Sequence, residues 1–328
     1  MRKIMEVFCI VGCLCISCQP WKKEEMGGDQ SYTLNSEDLS WNDENAYPTL
    51  LSINELLFDP LKDGVDYVEI VNVSDHAVDL SGIYLCNRSA AGVLSAGKVL
   101  SQESCLLSPG GYCLLSSDTA RVAADYGFPA DSLRLQIKSF PSFPNESGCV
   151  VLTDRQGVRI DEFPYTKYLH HPLVSVREGI ALEKMHPGLP SAKATCWTSA
   201  AADAGFGTPG RQNSQYAPWL FSSEYPENRF FASSEIIYPK RLNTDSQWLL
   251  YYYFRDGCVA NVVILYESSR PCFTLADNLL LGSRGVLRWS GLDNEGQPVP
   301  FGRYLVQAQC HTVEGEVFRQ YFVVAVLP

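Results

Sequence analysis

The sequence lacks an excess of basic residues. Of its 328 residues, 26 are lysine or arginine and 37 are aspartate or glutamate, so the formal net charge is −11. Proteins that bind nucleic acid neutralise the phosphate backbone with clustered lysine and arginine. The sequence offers no such basic surface, and we expect no nucleic-acid partner.

The sequence also lacks the short motifs of the common enzyme classes. It contains no H-E-x-x-H, no G-x-S-x-G and no G-x-x-x-x-G-K-[ST]. Of its five histidines, His170 and His171 are adjacent and would point to opposite faces of an extended strand, so they are poorly placed to share a metal ion. We therefore predict no catalytic residue and no cofactor, and expect that the chain is not an enzyme.

The cysteines lack the spacing of a metal site. Four of the twelve lie in the first 18 residues, and the other eight contain no C-x-x-C, so a zinc knuckle is not predicted. Cys105 and Cys113 flank one turn region, and Cys258 and Cys272 flank another, so either pair could face each other across a hairpin. Distance and register decide whether such a pair forms a disulfide. The pairing of the eight cysteines stays open.

No apolar run reaches the length of a transmembrane helix. The run at residues 7–16 is about half of the roughly 20 residues that cross a bilayer, and it follows two basic residues, as in a secretory signal. This region resembles a bacterial lipoprotein signal, in which a small residue precedes the lipidated cysteine. Cys18 leaves an apolar core of ordinary length, whereas Cys13 follows a closer match to the consensus. We predict a signal peptide at residues 1–18 with lipid on Cys18, and Cys13 as the alternative.

Residues 19–46 are polar and show no apolar period, which predicts a flexible tether. A lysine followed by two glutamates lies just after Cys18 and resembles the surface-export tag of lipoproteins in the Bacteroidetes. The alternative interpretation is a solvated charged linker. We expect an outer-membrane lipoprotein of the cell envelope, held at the membrane by its lipid, with surface and periplasmic orientations both open.

From residue 47 onward, short strand-like runs alternate with turn residues. The opening stretch contains three of them, at residues 53–58, 66–73 and 81–85, separated by clusters of proline, glycine, asparagine and aspartate. Val68 and Ile70 alternate with their neighbours in the second run, which predicts that they face a core. Strands of this length and spacing are typical of a β-sandwich or barrel.

Two local structures are predicted within this β-rich region. Residues 149–153 and 158–163 form a hairpin pattern across an Asp-Arg-Gln-Gly turn. Residues 117–126 predict a short helix, with Ser117 or Asp118 as its N-cap and Gly127 just past its end.

Several fragments then occur in a fixed order: I-N-E-L-L-F-D-P, D-Y-V-E-I-V-N, D-L-S-G-I-Y-L, L-L-S-P-G-G-Y-C-L-L, and a closing W-T-S followed by G-T-P-G and an asparagine. Together they resemble a lamin tail domain of the secreted bacterial kind. The resemblance implies a compact immunoglobulin-like β-sandwich over residues 47–214. Residues 140–147 and 166–176 depart from it as insertions that are rich in proline and aromatic residues.

Residues 215–228 are rich in proline and aromatics and predict a linker to a second domain at 229–328. The segment R-W-S-G-L-D-N-E-G-Q-P-V-P-F-G-R-Y-L-V resembles the last hairpin of the immunoglobulin-like domain of flagellar hook-capping proteins. The resemblance implies that Trp289 packs in a core, that residues 293–296 form a tight turn and that Tyr304 enters the final sheet. The predicted fold class is all-β, with two immunoglobulin-like β-sandwich domains in tandem after the signal peptide and tether.

An acidic group in the opening stretch is a weak calcium candidate, because hard cations bind several oxygens held close together. Its members are Asp59, Asp63, Asp66 and Glu69. Their spacing does not match an EF-hand loop. The alternative is that the aspartates shape the turn and Glu69 projects from a strand.

A group of aromatic residues in and next to the two insertions offers candidate ligand contacts, since exposed aromatics beside polar residues suit carbohydrate or protein recognition. Its members are Phe140, Phe143, Tyr165 and Tyr168. The alternative is that they cover an edge of the sandwich.

These features predict a lipid-anchored envelope protein that acts as a non-catalytic binding, adhesion or assembly module for an envelope protein or carbohydrate. One alternative is an accessory subunit of a surface polysaccharide or nucleic-acid processing system. Another is an enzyme with its site in the insertions of the first domain.

Overall fold

The computed structural model describes residues 50–221, 227–239, 246–255, 257–313 and 315–328. The predicted signal peptide, both candidate lipidation cysteines and the predicted tether lie outside these residues. Strands dominate the described part of the chain, whose one α-helix is α1 (Thr119–Tyr126), so the predicted all-β fold class is confirmed. None of the helices found there is both long and apolar enough to cross a membrane.

The first half of the chain contributes twelve strands. In chain order they are β1 (Leu51–Leu57), β2 (Tyr67–Asn72), β3 (Val78–Asp79), β4 (Ile83–Asn87), β5 (Lys98–Val99), β6 (Leu106–Leu107), β7 (Tyr112–Ser116), β8 (Leu133–Gln136), β9 (Ser147–Asp154), β10 (Arg159–Thr166), β11 (Leu182–Lys184) and β12 (Trp197–Ser199). Short 3₁₀ turns lie between some of them, at Leu80–Gly82, Lys167–Leu169, Ala194–Cys196 and Ala202–Ala204.

Two sheets pack face to face around the first core. One has the strand order β12-β11-β1-β2-β7-β8 and the other β10-β9-β4-β5, while β3 and β6 form a separate short pair. Val68 and Ile70 are fully buried in this core, as their alternation predicts. The predicted hairpin is formed by β9 and β10. The ring of Phe163 stacks on Trp197 at 3.6 Å between centroids.

The second face of the six-stranded sheet is buried as well. Tyr67 and Leu114 on this face pack with Val122 and Tyr126 of α1. Every residue of β2 is therefore buried, although an alternating strand in a two-layer sandwich ordinarily exposes one face to water. The covering elements, α1 and the segment that follows β12, are remote from β2 in sequence.

Helix α1 begins and ends as its sequence predicts. The carboxylate of Asp118 accepts hydrogen bonds from the backbone N–H groups of Ala120 and Arg121 at 3.1 and 3.0 Å. Gly127 follows the last turn with φ 71°, a left-handed value that suits glycine. Asp118 therefore satisfies two of the amides that a helix start leaves without partners.

The second half forms another pair of sheets. Its strands are β13 (Arg229–Ala232), β14 (Ile236–Ile237), β15 (Trp248–Tyr253), β16 (Cys258–Tyr266), β17 (Pro271–Leu281), β18 (Arg284–Trp289), β19 (Gly302–His311) and β20 (Val317–Val326). They are ordered β13-β15-β18 and β14-β20-β19-β16-β17. Trp289 and Tyr304 are buried between the sheets, and Gly296 N–H donates to Asp293 O at 3.0 Å in the tight turn, which confirms all three local expectations for this region.

The two halves contact each other directly. The hydroxyl of Tyr252 donates to a carboxylate oxygen of Asp203, and Ser283 Oγ donates to the carbonyl of Tyr216 at 2.9 Å. At Gly282 an added Cβ would lie 2.5 Å from the carbonyl oxygen of Ser214, so a side chain there would force the halves apart. Hydrogen bonds and the close approach of the backbone at Gly282 therefore form the contact between the two halves.

The first residues of the predicted linker at 215–228 pack against the first sandwich. Gln215 and Ala217 are buried, and Ala217 N–H donates to Met185 O at 2.7 Å. The side chain of Gln215 donates to the carbonyl of Ser199 at 2.8 Å. The start of the predicted linker is therefore packed on the first sandwich, because its backbone and amide groups find partners there.

The eight described cysteines form no disulfide with one another. Cys258 lies opposite Leu281 in the ladder of β16 and β17, whereas Cys272 lies near the far end of that hairpin. The prediction that Cys258 and Cys272 face each other is therefore wrong. Cys258 lies at the start of β16, far from the turn, whereas Cys272 lies just after the turn, at the start of β17. Cys105 and Cys113 likewise form no disulfide with each other.

Candidate functional site

Three glutamates lie side by side across the six-stranded sheet. Glu55 on β1 is in register with Glu183 on β11 and with Glu69 on β2. All three side chains are fully buried. None of the ion pairs found among the described residues involves them. An acid cluster of this kind is costly to bury unless hydrogen bonds satisfy its oxygens.

The G-T-P-G segment supplies much of that satisfaction. Thr208 N–H donates to Glu55 Oε1 at 2.8 Å, and Gly210 N–H donates to Glu69 Oε2. Thr208 Oγ1 lies 3.2 Å from Glu55 Oε2 and 2.7 Å from Glu183 Oε1. The glutamates therefore hold the closing segment of the first sandwich against the outer face of its sheet.

The two glycines of this segment are fixed by space and by backbone conformation. An added Cβ at Gly207 would lie 2.7 Å from both the Tyr126 ring and the Tyr67 hydroxyl. Gly210 has φ +81°, and a Cβ there would lie 2.7 Å from the Phe128 ring. Neither position admits a larger residue without displacing its neighbours.

Hydrogen-bond geometry places a proton between Glu55 and Glu183. Burial raises the pKa of Glu55 to about 8, and it also raises the pKa of Glu69 and Glu183. The single hydroxyl hydrogen of Thr208 lies between two carboxyl groups, so one of the two must donate to Thr208 Oγ1.

Glu55 and Glu183 are alike in this respect: the other oxygen of Glu183 accepts from Ser214 Oγ and Gln215 N–H at 2.7 and 2.8 Å, and the other oxygen of Glu55 accepts from the Tyr67 hydroxyl and Thr208 N–H. Glu69 is surrounded by N–H donors from Asn54 and Gly210. Thr208 Oγ1 is closer to Glu183, at 2.7 Å, than to Glu55, at 3.2 Å, and burial raises the pKa of Glu55 to about 8. We therefore assign the proton to Glu55, which donates to Thr208 Oγ1 while Thr208 donates to Glu183.

A second buried network surrounds Lys184. Its ammonium group donates to Ser52 Oγ, to Ser191 Oγ at 2.6 Å and to Leu189 O at 3.2 Å, so all three hydrogens have acceptors. Ser191 Oγ in turn donates to Asp161 Oδ2 at 2.6 Å. Burial lowers the pKa of Lys184 to about 8. A serine beside such a lysine is a nucleophile arrangement in some enzymes, but Lys184 and Ser191 are 0% and 1% exposed, so a substrate has no approach to them in this structure.

The four acidic calcium candidates do not converge on one site. Asp59 accepts from Asn145 Nδ2, and Asp63 occupies an exposed turn with φ 67°. Asp66 is partly buried, and burial raises its pKa to about 7. Glu69 belongs to the buried carboxylate cluster, so it is unavailable to the others. Within the described ranges no group of three or more histidine, cysteine, aspartate or glutamate side chains is placed to hold a metal ion.

Three of the four aromatic candidates pack inward. Phe143 and Tyr165 are 2% and 1% exposed in the first core, and Phe140 packs edge-on against Phe143 at 5.6 Å between centroids. Tyr165 also donates its hydroxyl hydrogen to Pro144 O at 2.9 Å. The proposal of surface contacts at Phe143 and Tyr165 is therefore corrected, because the first insertion folds back over the end of the sandwich.

Tyr168 is the exception, with 76% of its surface exposed. Lys167 Nζ and Arg177 Cζ lie 5.6 and 5.9 Å from the centroid of its ring. Leu173 and Val176 nearby are 45% and 68% exposed. We call residues 166–177 the Tyr168 loop. It presents an aromatic and aliphatic surface with two cations, of which Lys167 is paired with Glu146 at 2.7 Å.

The base of the Tyr168 loop is fixed to the sandwich by its two histidines. Both are buried, and Ser199 Oγ accepts from His171 N–H at 3.0 Å and lies 2.9 Å from His170 Nδ1. Burial lowers the pKa of His170 to about 4, so the ring is neutral at pH 7. The loop therefore has an exposed tip on an anchored base, which lowers the entropic cost of binding a partner.

The sequence interpretation missed the carboxylate cluster and the anchoring role of the histidines. A signal for the cluster is present: each glutamate interrupts an apolar strand, in I-N-E-L, Y-V-E-I and A-L-E-K. An acid inside an apolar strand either faces water or is buried with partners, and the pattern alone does not separate the two cases.

No protein-family model and no curated protein matches the chain. Among solved structures, CopC from Methylosinus trichosporium OB3b matches 31% of this chain and 95% of its own, at 13% identity and TM-score 0.22. The exo-chitosanase CsxA of Amycolatopsis orientalis matches at 11% identity and TM-score 0.21, over 81% of this chain and 26% of its own.

Dimeric latent PorU from Porphyromonas gingivalis matches at 9% identity and TM-score 0.24, over 85% of this chain and 20% of its own. The chain thus spans only a small part of CsxA and PorU. Likenesses at these TM-scores assign neither a family nor a function, and the resemblances to lamin tail and hook-capping domains stay predictions.

Proposed function

We propose that this protein is a lipid-anchored component of the cell envelope that binds an envelope protein or carbohydrate without catalysis, and that the Tyr168 loop makes the principal contact. The observation that carries the proposal is the exposure of Tyr168 between Lys167 and Arg177 on a loop with an anchored base. Aromatic rings beside cations recognise sugar faces and acidic groups.

The buried polar networks support the same function. The carboxylates of the cluster and the ammonium of Lys184 are engaged within the fold. These groups hold the closing segment and the strands together, which keeps the base of the Tyr168 loop rigid. A rigid scaffold that carries a recognition loop is a common arrangement in binding proteins.

The binding proposal is tested by co-sedimentation of the full chain with envelope fractions enriched in polysaccharide or in protein. Tyr168→Ala should weaken binding at least about tenfold, as expected of a central aromatic contact. Leu106→Ala, at a side chain of similar exposure outside the loop, should bind as the wild type does. Equal binding by the Tyr168→Ala chain would refute the role of the loop.

The lipid anchor is tested separately in cells, by labelling with a radioactive fatty acid. Cys18→Ala should lose the label and Cys13→Ala should keep it. The reverse result would assign the lipid to Cys13, and label in both variants would refute anchoring at either cysteine.

A further inference from the structure

Strand β20 leaves most of one edge bare. It pairs with β19 along all ten of its residues, but on its other side β14 pairs only with Ala325 and Val326. In the described part of the chain no strand pairs with residues 317–323 on that side. A groove of about 530 Å³ lies beside this edge, between Phe318, Arg319 and Gln320 on one side and Glu227, Asn228 and Arg229 on the other.

Within the described ranges, this edge carries backbone donors and acceptors that no strand pairs with. Ala325 N–H and Leu327 N–H donate to Glu235 and Ile237 on the β14 side. Backbone groups of alternate residues in a strand point to the same side, so the odd-numbered residues of β20 direct their N–H and C=O groups to the bare edge. These residues are Val317, Arg319, Tyr321 and Val323.

This edge lacks the features that ordinarily block strand pairing. Natural edges are protected by bulges, by proline, by lysine or by short length. Strand β20 is ten residues long, contains no proline or lysine and pairs with β19 without a register shift. The opposite edge strand of the same sheet, β17, begins at Pro271 and pairs with register shifts at three places. The contrast indicates that the β20 edge can accept a partner strand.

The sequence of the edge is complementary to itself. When two copies of β20 run antiparallel about Gln320, Arg319 lies opposite Tyr321 and Val317 lies opposite Val323. Each pairing occurs twice. All four side chains lie on the exposed outer face of the sheet, so each Arg319 meets a tyrosine ring and each valine meets a valine.

Pairing with the twofold axis at a neighbouring residue is less favourable. A twofold axis at Arg319 would set that cation opposite itself, and like charges directly opposite destabilise a sheet. An axis at Tyr321 would set Val317 opposite Ala325, whose side of the strand is already occupied by Ile236. Only the axis at Gln320 uses the whole bare stretch between the β19–β20 turn and β14.

We propose that β20 is a dimerisation edge at which a second copy of this chain pairs antiparallel about Gln320, so that two five-stranded sheets join into one. Residues 317–323 of the two copies then exchange about eight backbone hydrogen bonds, two for each pair of opposed odd-numbered residues. The side chains of Phe318 and Phe322 stay packed in their own core, and Gln320 keeps its bond from Phe230 N–H.

The test is sedimentation velocity of the full chain in mild detergent over a range of concentrations. The wild type should form a concentration-dependent dimer. Tyr321→Arg sets arginine opposite Arg319 and should raise the dimer dissociation constant by about tenfold or more. The double variant Arg319→Glu with Tyr321→Arg replaces that repulsion by an ion pair and should restore dimerisation to within a few-fold of the wild type.

Val158→Arg introduces the same charge at an exposed side chain of the first sandwich and should leave the dimer unchanged. If an arginine variant does not fold, as judged by circular dichroism, Tyr321→Thr removes the aromatic partner and should also weaken the dimer. A monomeric wild type, a Tyr321→Arg chain that dimerises as the wild type does, or a folded double variant that stays monomeric would each overturn the proposal.

Discussion

Replacement of Glu55 by glutamine tests the assignment of the proton in the carboxylate cluster. The amide oxygen of a glutamine at this position accepts from the Tyr67 hydroxyl and from Thr208 N–H, as Glu55 Oε1 does at 2.7 and 2.8 Å. Its NH₂ group donates to Thr208 Oγ1, as the protonated carboxyl of Glu55 does. At pH 5 we therefore expect Glu55→Gln to have nearly the stability of the wild type.

The two proteins should diverge as the pH rises. Burial raises the pKa of Glu55 from its ordinary value of 4.5 to about 8, so the folded chain holds this proton more tightly than the unfolded chain does. The stability due to Glu55 is fully present below pH 4.5 and is lost as the pH rises through 8. At about 1.4 kcal/mol for each pH unit, the loss is about 5 kcal/mol at most. The glutamine variant lacks this loss.

The assay is urea denaturation between pH 5 and pH 9, followed by tryptophan fluorescence, with the free energy of unfolding compared at each pH. Asp66 is partly buried and titrates in both proteins, so its contribution cancels when the two free energies of unfolding are subtracted. Glu69→Gln is the matched control. Both oxygens of Glu69 accept from N–H groups, so the NH₂ group of a glutamine there would face another N–H donor. This variant should lose about 1–3 kcal/mol of the free energy of unfolding even at pH 5. A difference between wild type and Glu55→Gln that does not change with pH would refute the proton assignment.

Four further outcomes follow from the fold. Gly210→Ala should destabilise the protein by more than about 1 kcal/mol in the same assay, because alanine strains a backbone at φ +81° and meets Phe128, and an unchanged free energy would contradict the close contact. Asp118→Ala should cost about 1 kcal/mol and Asp118→Asn much less, since asparagine also caps a helix; equal losses would refute the cap. Tyr252→Phe should lower the free energy of unfolding by about 1 kcal/mol because its partly buried hydrogen bond to Asp203 is lost, whereas Tyr251→Phe keeps its ring stacked on Phe231 and serves as the control. Calcium or a chelator should leave the melting temperature unchanged, because Glu69 is engaged with Gly210, and a clear shift with calcium would revive the acidic site.

Local features of the fold were predictable because their causes are local. The Asp118 cap, the Gly127 stop and the burial of Val68 and Ile70 each depend on residues only a few positions apart. Cap chemistry and side-chain alternation are set at that range.

Features that depend on remote segments were not predictable. Alternation in β2 shows that Glu69 lies opposite the core face, but not that residues 207–215, about 140 positions later, return to cover it. Composition likewise marks Phe143 and Tyr168 as similar aromatic residues of two insertions. Only the folded path shows that one ring points into the core and the other into water.

Hydrogen–deuterium exchange of the full chain, with and without a saturating envelope fraction, locates the binding surface most directly. The binding proposal predicts slower exchange in residues 166–177 when the fraction is present, and unchanged exchange in β1 and β2, whose amides are already buried. Tyr168→Ala should abolish that protection. Protection confined to other surfaces, with residues 166–177 unaffected, would contradict the assignment of the Tyr168 loop as the site of recognition.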